Sequence, residues 1–283
     1  MDAEERWTDP VWLAGAHAWI DARLADLGRP RTGEIEQPHV RTWGTVMRVP
    51  TADGTVWFKA PEDALRHEAA VHAVVAARRP DRVPPLLAVD ASQGWMLSAD
   101  AGRRLREVVE EERSLARWHD VLGACAEIQL ACEPDVPALL AAGVPHRPLA
   151  TLAADYAAFV ARVEVEPRFR DAAGTVAEMA TRLASYGITE TVQHDDLHDG
   201  QVFVPPARSS AAPHLILDWG DACVTHPFFT LSVTLLGVVS FGVDDVTGSE
   251  DTAPFRDSYL APYAAAQGAT VADLREPADL AAR

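Results

Sequence analysis

Between residues 193 and 204 the chain reads Gln193-His194-Asp195-Asp196-Leu197-His198-Asp199-Gly200-Gln201-Val202-Phe203-Val204, and a little further on Leu215-Ile216-Leu217-Asp218-Trp219. Four carboxylates, two imidazoles and the Gln201 amide thus lie between two apolar, β-like runs. Charges this dense beside apolar strands are costly to desolvate unless they hold a metal, a phosphate or a proton in transit. The stretch is the candidate active site, and two chemistries suit it. Phosphoryl transfer needs a carboxylate near an acceptor hydroxyl, hard oxygen ligands for magnesium and a cation on the nucleotide phosphates. Asp196 offers the first, and Gln201 with Asp218 the second. Lys59 offers the third: it is the only lysine, and the other 24 basic residues are all arginine. A site that wants a compact point charge and not a planar fork explains such an exception. Glu68, on the next helix, is its natural partner. The competing chemistry is metal-dependent hydrolysis, with His194, Asp195 and His198 on a transition metal and Asp196 activating water. Its four-residue histidine spacing suits a helix, whereas Gly200, Val202 and Val204 read as a loop entering a strand.

The elements that must position these residues follow from the rest of the chain. Asp9-Pro10 reads as an N-cap and a first-turn proline, and Trp12, Ala16, Trp19 or Ile20, Leu24 and Leu27 recur at helical spacing up to Gly28. A polar linker runs to about residue 38. The β-type runs 42–49 and 55–60 flank Thr51-Ala52-Asp53-Gly54, a hairpin signal. Asp63 is placed to cap a helix over 64–79, and short strands follow at 86–89 and 95–97. Strand, strand, helix, strand, strand over 39–97 predicts a small antiparallel sheet with one main helix. After Ser98-Ala99-Asp100-Ala101-Gly102 the pattern becomes helical, over 103–112, 114–132, 149–163 and 171–186, and the apolar run 228–243 reads as a buried helix. In the helix over 114–132, Trp118, Leu122 and Cys125 have core spacing. Glu107, Glu110, Glu111 and Glu112 form an acidic helix face, and Asp195 and Asp199 read as solvated turn residues.

With 283 residues, 48% apolar and 24% charged, the chain belongs among globular proteins with a sizeable core. Its net charge of -17 argues against nucleic acid as a partner. The acidity is concentrated after residue 100, where 27 acidic side chains face 14 basic ones, a balance that serves high solubility and mildly favours a cationic small molecule. Residues 222–243 lack Asp, Glu, Lys and Arg, but His226, Pro227 and Gly237 interrupt them and Asp221, Asp244 and Asp245 flank them, so no membrane span is expected. Cys125, Cys132 and Cys223 form a sparse, odd set, and Met1-Asp2-Ala3-Glu4-Glu5 lacks the character of a signal peptide, so a cytoplasmic setting is expected.

These motifs resemble those of the aminoglycoside phosphotransferase and choline kinase-like family. The family loop reads His-Gly-Asp-x-His-x-x-Asn. His194, Asp196 and His198 match it, Asp195 stands for the glycine and Gln201 for the asparagine, and Leu217-Asp218-Trp219 matches the later Asp-Trp element. His226-Pro227 follows where the family commonly has Asp-Pro.

The resemblance implies an α+β, two-lobed, protein-kinase-like fold. Residues 1–97 would be the nucleotide-binding lobe, with a leading helix in 1–30 and the sheet and its helix in 39–97. Residues 98–102 would be a hinge meeting the adenine, around Ser98 and Asp100, and 103–283 a helical catalytic and substrate lobe. It further implies ATP and Mg2+ as cofactors and Asp196 as catalytic base. Gln201 and Asp218 would hold the metal, and Lys59, paired with Glu68, the phosphates. The acceptor would be a hydroxyl of an aminoglycoside, amino sugar or similar polar alcohol. Two departures matter. Glutamine for asparagine displaces the amide oxygen by about 1.5 Å, which motivates a third reading, a nucleotide-binding pseudokinase. And there is no Gly-x-Gly-x-x-Gly: only Thr42-Trp43-Gly44-Thr45 is placed to cover phosphates.

Overall fold

The computed structural model describes residues 3–205 and 213–283, with side chains from Glu5 onward. The Ser209–Ala212 stretch, which approaches low complexity, lies outside the described residues, as does Asp2. The chain forms two compact units, one of Met1–Arg104 with Phe203–Asp221, the other of Leu105–Val202 with Ala222–Arg283.

The first unit begins with helices α1 (Ala3–Thr8) and α2 (Pro10–Asp26). Asp9 caps α2 as the sequence suggests, its carboxylate accepting from the Trp12 N–H at 2.8 Å. Strands β1 (Glu36–Arg41), β2 (Gly44–Thr51) and β3 (Gly54–Pro61) follow, then helix α3 (Glu68–Arg78) and strands β4 (Leu86–Asp90) and β5 (Trp95–Ala99). They make a five-stranded antiparallel sheet in the order β1-β2-β3-β5-β4. The Thr51–Gly54 hairpin closes in two residues, Ala52 and Asp53, and Gly54 leaves the turn at φ 115, which glycine adopts freely. β1 starts inside the expected linker. Its polar sequence carries no strand signal because it is an edge, bulged around Pro38.

One face of the sheet is apolar. Met47, Val49, Val56, Phe58, Ala60 and Leu97 are buried there with Ile20 and Leu24 of α2. Trp12, Trp19 and Phe58 surround Trp95 at centroid distances of 5.5–5.9 Å, all three edge-on to it at interplanar angles of 78–80°. Such contacts each contribute about 0.5–1.5 kcal/mol beyond burial. The alternation of side chains then forces Trp57 and Lys59 onto the opposite face.

Three expectations fail here. Asp63 does not cap α3: it opens a single 3-10 turn, Asp63–Leu65, and its carboxylate bonds Arg66 and Arg6. Arg103 and Arg104 are not helical but form β6, paired with the returning strand β8 (Val202–Val204). The run 228–243 is not one helix but short 3-10 and π turns, at Pro227–Phe229, Ser232–Leu236 and Val239–Phe241. β-Branched residues and two glycines weaken helix propensity there, and Gly242 adopts φ 69.

The second unit starts with α4 (Leu105–Glu112), α5 (Trp118–Cys132) and α6 (Val136–Ala141), followed by α7 (Leu149–Arg162), α8 (Pro167–Asp171) and α9 (Ala173–Ala184). Strand β7 (Thr191–Gln193) leads into the polar loop. The chain then passes through β8 (Val202–Val204) and β9 (Leu215–Ile216), and re-enters the second unit at β10 (Cys223–Thr225), antiparallel to β7. Helices α10 (Ala253–Gln267) and α11 (Val271–Ala281) complete it. Trp118, Leu122 and Cys125 are buried, as their spacing predicts. Gln129, also on α5, is a buried polar hub. Its Oε1 accepts from the Tyr259 hydroxyl at 2.5 Å, its Nε2 reaches the Thr230 hydroxyl at 3.2 Å, and its backbone carbonyl accepts from Thr191 at 2.8 Å. Satisfied networks of this kind fix one packing, and this one fixes the strand that launches the polar loop.

Candidate active site

In the first unit Lys59 projects from β3 to Glu68, the first residue of α3. Its Nζ lies 2.6 Å from Glu68 Oε1 and 2.5 Å from Asp218 Oδ1. The Glu68 side chain is 2% exposed and that of Asp218 40%. Burial pushes the Glu68 pKa up to about 7 against the attraction of Lys59, and the charge of Asp218 pushes the same way. Burial works against the lysine's charge too, but the fields of Glu68 and then Asp218 outweigh it and hold the ammonium above its usual range. Asp218 adopts φ 64, a left-handed conformation that aspartate tolerates better than most residues. The Trp219 indole N–H, donating to the Ile216 carbonyl at 3.2 Å, closes this turn. Gly220 lies against the glutamate: a Cβ there would be 3.4 Å from Glu68 Oε2.

Ser98 pairs with Trp57, and the Trp57 indole N–H donates to Asp100 Oδ1 at 2.8 Å. Gly102, at φ 90, is pressed on β8 so closely that a Cβ would lie 2.3 Å from the Val204 carbonyl oxygen. Only glycine fits. The segment 98–102 is therefore fixed at both ends.

In the second unit the loop 194–201 is held mainly by side chains bonded to its backbone. His194, 1% exposed, accepts from the Asp196 N–H at 3.4 Å. Asp195 sits exposed at φ 66, in the left-handed region. His198 Nδ1 accepts from the Gly200 N–H at 2.9 Å, which directs its Nε2 to Asp196 Oδ2 at 3.5 Å. Asp199 and, after the opposing effect of burial, the charge of Asp196 hold the His198 pKa above its usual value. Gln201 Nε2 donates to the same Asp196 Oδ2 at 3.2 Å. Asp196 and Gln201 are thus brought together, as are Lys59, Glu68 and Asp218. His194, Asp195 and His198 are not on a helix, and no group of three His, Cys, Asp or Glu side chains suited to a metal exists among the described residues.

Two residues escaped sequence reasoning. Asp199 is no solvated turn residue: Arg106 Nε and Nη2 both donate to its Oδ1, at 2.9 and 2.6 Å, and the Arg106 N–H donates to its carbonyl. Burial would raise the Asp199 pKa, but the hydrogen bonds from His198 and Arg106 prevail and lower it. Thr234, fully buried in the π turn, donates its hydroxyl to the Leu197 carbonyl at 2.9 Å. No sequence signal links positions 37 apart. His226, where the family commonly has aspartate, is fully buried; burial pushes its pKa down to about 4, and its Nδ1 accepts from the Phe228 N–H at 3.3 Å.

A sheet lysine locked to a helix glutamate, with an aspartate that ends a later strand, is the arrangement by which kinase-like phosphotransferases grip a nucleotide. Residues 35–279 match the phosphotransferase enzyme family, and the chain belongs to it. It is a small-molecule phosphotransferase with the α+β, protein-kinase-like fold. Among solved structures it is similar to the GDP and kanamycin complex of APH(2")-IIia, at 14% identity over 94% of this chain and 88% of that one, with a TM-score of 0.59. It is also similar to a choline/ethanolamine kinase family protein from Mesorhizobium loti, at 16% identity, 89% and 78% coverage and a TM-score of 0.56. For macrolide 2'-phosphotransferase type I the values are 17%, 93%, 88% and 0.55. At such identities the likeness shows the fold. No curated protein matches the sequence significantly. No helix is long and apolar enough to cross a membrane among the described residues.

Proposed function

We propose that the protein transfers the γ-phosphoryl group of ATP to a hydroxyl of a small polar acceptor such as an aminoglycoside or amino sugar. The observation that carries this reading is the Lys59 ammonium held by two carboxylates of unequal burial. An arriving phosphate competes for the ammonium with half-exposed Asp218, while buried Glu68 keeps its grip. The first unit is then the nucleotide-binding lobe, with Ser98 and Asp100 in the hinge that meets the base.

Asp196 is the base of this reading. Its Oδ2 takes the contacts of Gln201 and His198, which leaves Oδ1 for the acceptor hydroxyl. The acceptor oxygen bonds to the γ-phosphorus as the bond to the bridging oxygen breaks, and the hydroxyl proton passes to Asp196. By donor chemistry alone, magnesium would suit a carboxylate such as that of Asp218 and the amide oxygen of Gln201, whose nitrogen is committed to Asp196. When bound, the ion offsets the charge of the phosphates. The acidic excess after residue 100 favours an acceptor that carries positive charge, and three buried free thiols suit a reducing cytoplasm.

Transfer from ATP and from GTP, with and without magnesium, over aminoglycosides, amino sugars, macrolides, choline and ethanolamine tests the reading. Magnesium-dependent phosphorylation of one acceptor class is expected. Tight nucleotide binding with no transfer to any acceptor would replace it by a binding protein, and zinc retained through dialysis against chelator by a hydrolase.

A further inference from the structure

The face of the sheet that carries Lys59 carries other basic side chains. His39 of β1 pairs with Val46 of β2, and Val46 pairs with Lys59 of β3, so the three side chains form one row on one face. Arg41, two residues beyond His39, shares that face, whereas Val40 between them packs with the apolar cluster on the other. His39 feels the charges of Arg41, Lys59, Arg104 of β6 and Asp218, and burial first, then Arg41, holds its pKa below the usual value. Most arginines of this unit are paired: Arg6, Arg23, Arg29, Arg31, Arg48 and Arg66 all have carboxylate partners. Arg41 and Arg104 have none among the described residues. Like charges gathered on one face repel unless an anion joins them.

The turn beside them is poorly built to supply backbone donors. β1 and β2 pair up to Arg41 and Gly44, which leaves only Thr42 and Trp43 as the turn. The Trp43 carbonyl accepts from the Glu62 N–H at 2.8 Å, and a Cβ on Gly44 would lie 2.9 Å from the Ala60 carbonyl oxygen. The turn is therefore pinned to the end of β3, without the glycine run that lets a backbone wrap phosphates.

We propose that the side chains of His39 and Arg41, aided by Arg104, hold the nucleotide's phosphate chain, a task that elsewhere falls to a glycine-rich backbone. This rests on the reading of Lys59 as a nucleotide-binding residue. Calorimetric titration of ATP, ADP, AMP and adenosine into the wild-type protein, His39→Asn, Arg41→Gln, the double variant and Lys59→Ala tests it, with melting temperatures as a check on folding.

The double variant is expected to bind ATP at least roughly tenfold more weakly, the value for one lost charge-assisted contact. The loss should shrink through ADP and AMP and vanish for adenosine. The salt dependence of ATP binding should become shallower in the same variant. ATP affinity within twofold of wild type, with Lys59→Ala still impaired, overturns the proposal and spares the nucleotide site. An equal loss for ATP and adenosine also overturns it. If the wild-type protein binds none of the four, nor GTP, both readings fall together.

Discussion

The two polar clusters are built on opposite principles. In the first unit Lys59, Glu68 and Asp218 are held by charge: one ammonium meets two carboxylates within 2.6 Å, and among the described residues buried Glu68 is hydrogen-bonded through its side chain to the lysine alone. In the second unit the loop around Asp196 is held by geometry. Its shape is set by His194 and His198 accepting backbone N–H groups, by Arg106 on Asp199 and by Thr234 on the Leu197 carbonyl. A group that must exchange one anionic partner for another is suited to an ionic cluster, whose partners can be swapped. A group that must meet a hydroxyl at a fixed position is suited to a hydrogen-bonded frame, which fixes direction as well as distance.

That contrast predicts different failures. Asp196→Asn should leave the frame and nucleotide binding intact while lowering kcat by about 10²–10⁴, the usual contribution of a positioned base; a variant with wild-type turnover would remove Asp196 from the chemistry. Glu68→Ala should act on stability first. It strands a buried ammonium with only half-exposed Asp218, and breaking such a pair costs about 3–5 kcal/mol. Urea titration measures it, and a loss below 1 kcal/mol would mean that the cluster is solvated and not ionic.

The ionic cluster was the more legible of the two in the sequence. A lone lysine among arginines, a glutamate on the next helix and Asp-Trp after an apolar run are local signals, and each marks a charge near an apolar element. The small sheet was legible for the same reason, because its inner strands alternate and its hairpin carries Asp-Gly. Edge strand β1 was not, since an edge needs no apolar period. The frame around Asp196 was legible only in its centre. Arg106 and Asp199 are 93 residues apart, and Thr234 lies in a run whose lack of charge suggested a helix. Long-range hydrogen bonds leave no periodicity behind. The failure at 228–243 has the same origin: burial sets the composition of such a run, while glycines and β-branched residues set its backbone.

A smaller effect separates frame from mere packing. Thr234→Val keeps the shape of the side chain but removes the donor to the Leu197 carbonyl, a buried bond whose loss costs about 1–3 kcal/mol. If the π turn positions Asp196, kcat should fall several-fold while the KM for nucleotide is unchanged, and Thr234→Ser should restore it. Equal losses of stability in both variants, with kcat untouched, would reduce Thr234 to a packing residue.

The smallest expected change concerns Gln201. Its amide nitrogen already reaches Asp196 Oδ2 at 3.2 Å, so the longer side chain spans from the loop to the carboxylate and directs its oxygen away from it. Asparagine, shorter by about 1.5 Å, must give up that contact or carry its oxygen to a different place. Magnesium demands near-ideal geometry, so Gln201→Asn should raise the magnesium concentration for half-maximal transfer a few-fold, with the nucleotide affinity of the metal-free protein unaltered. The opposite result, tighter magnesium and faster transfer, would show that glutamine is a compromised ligand and that this loop is framed for nucleotide binding more than for turnover.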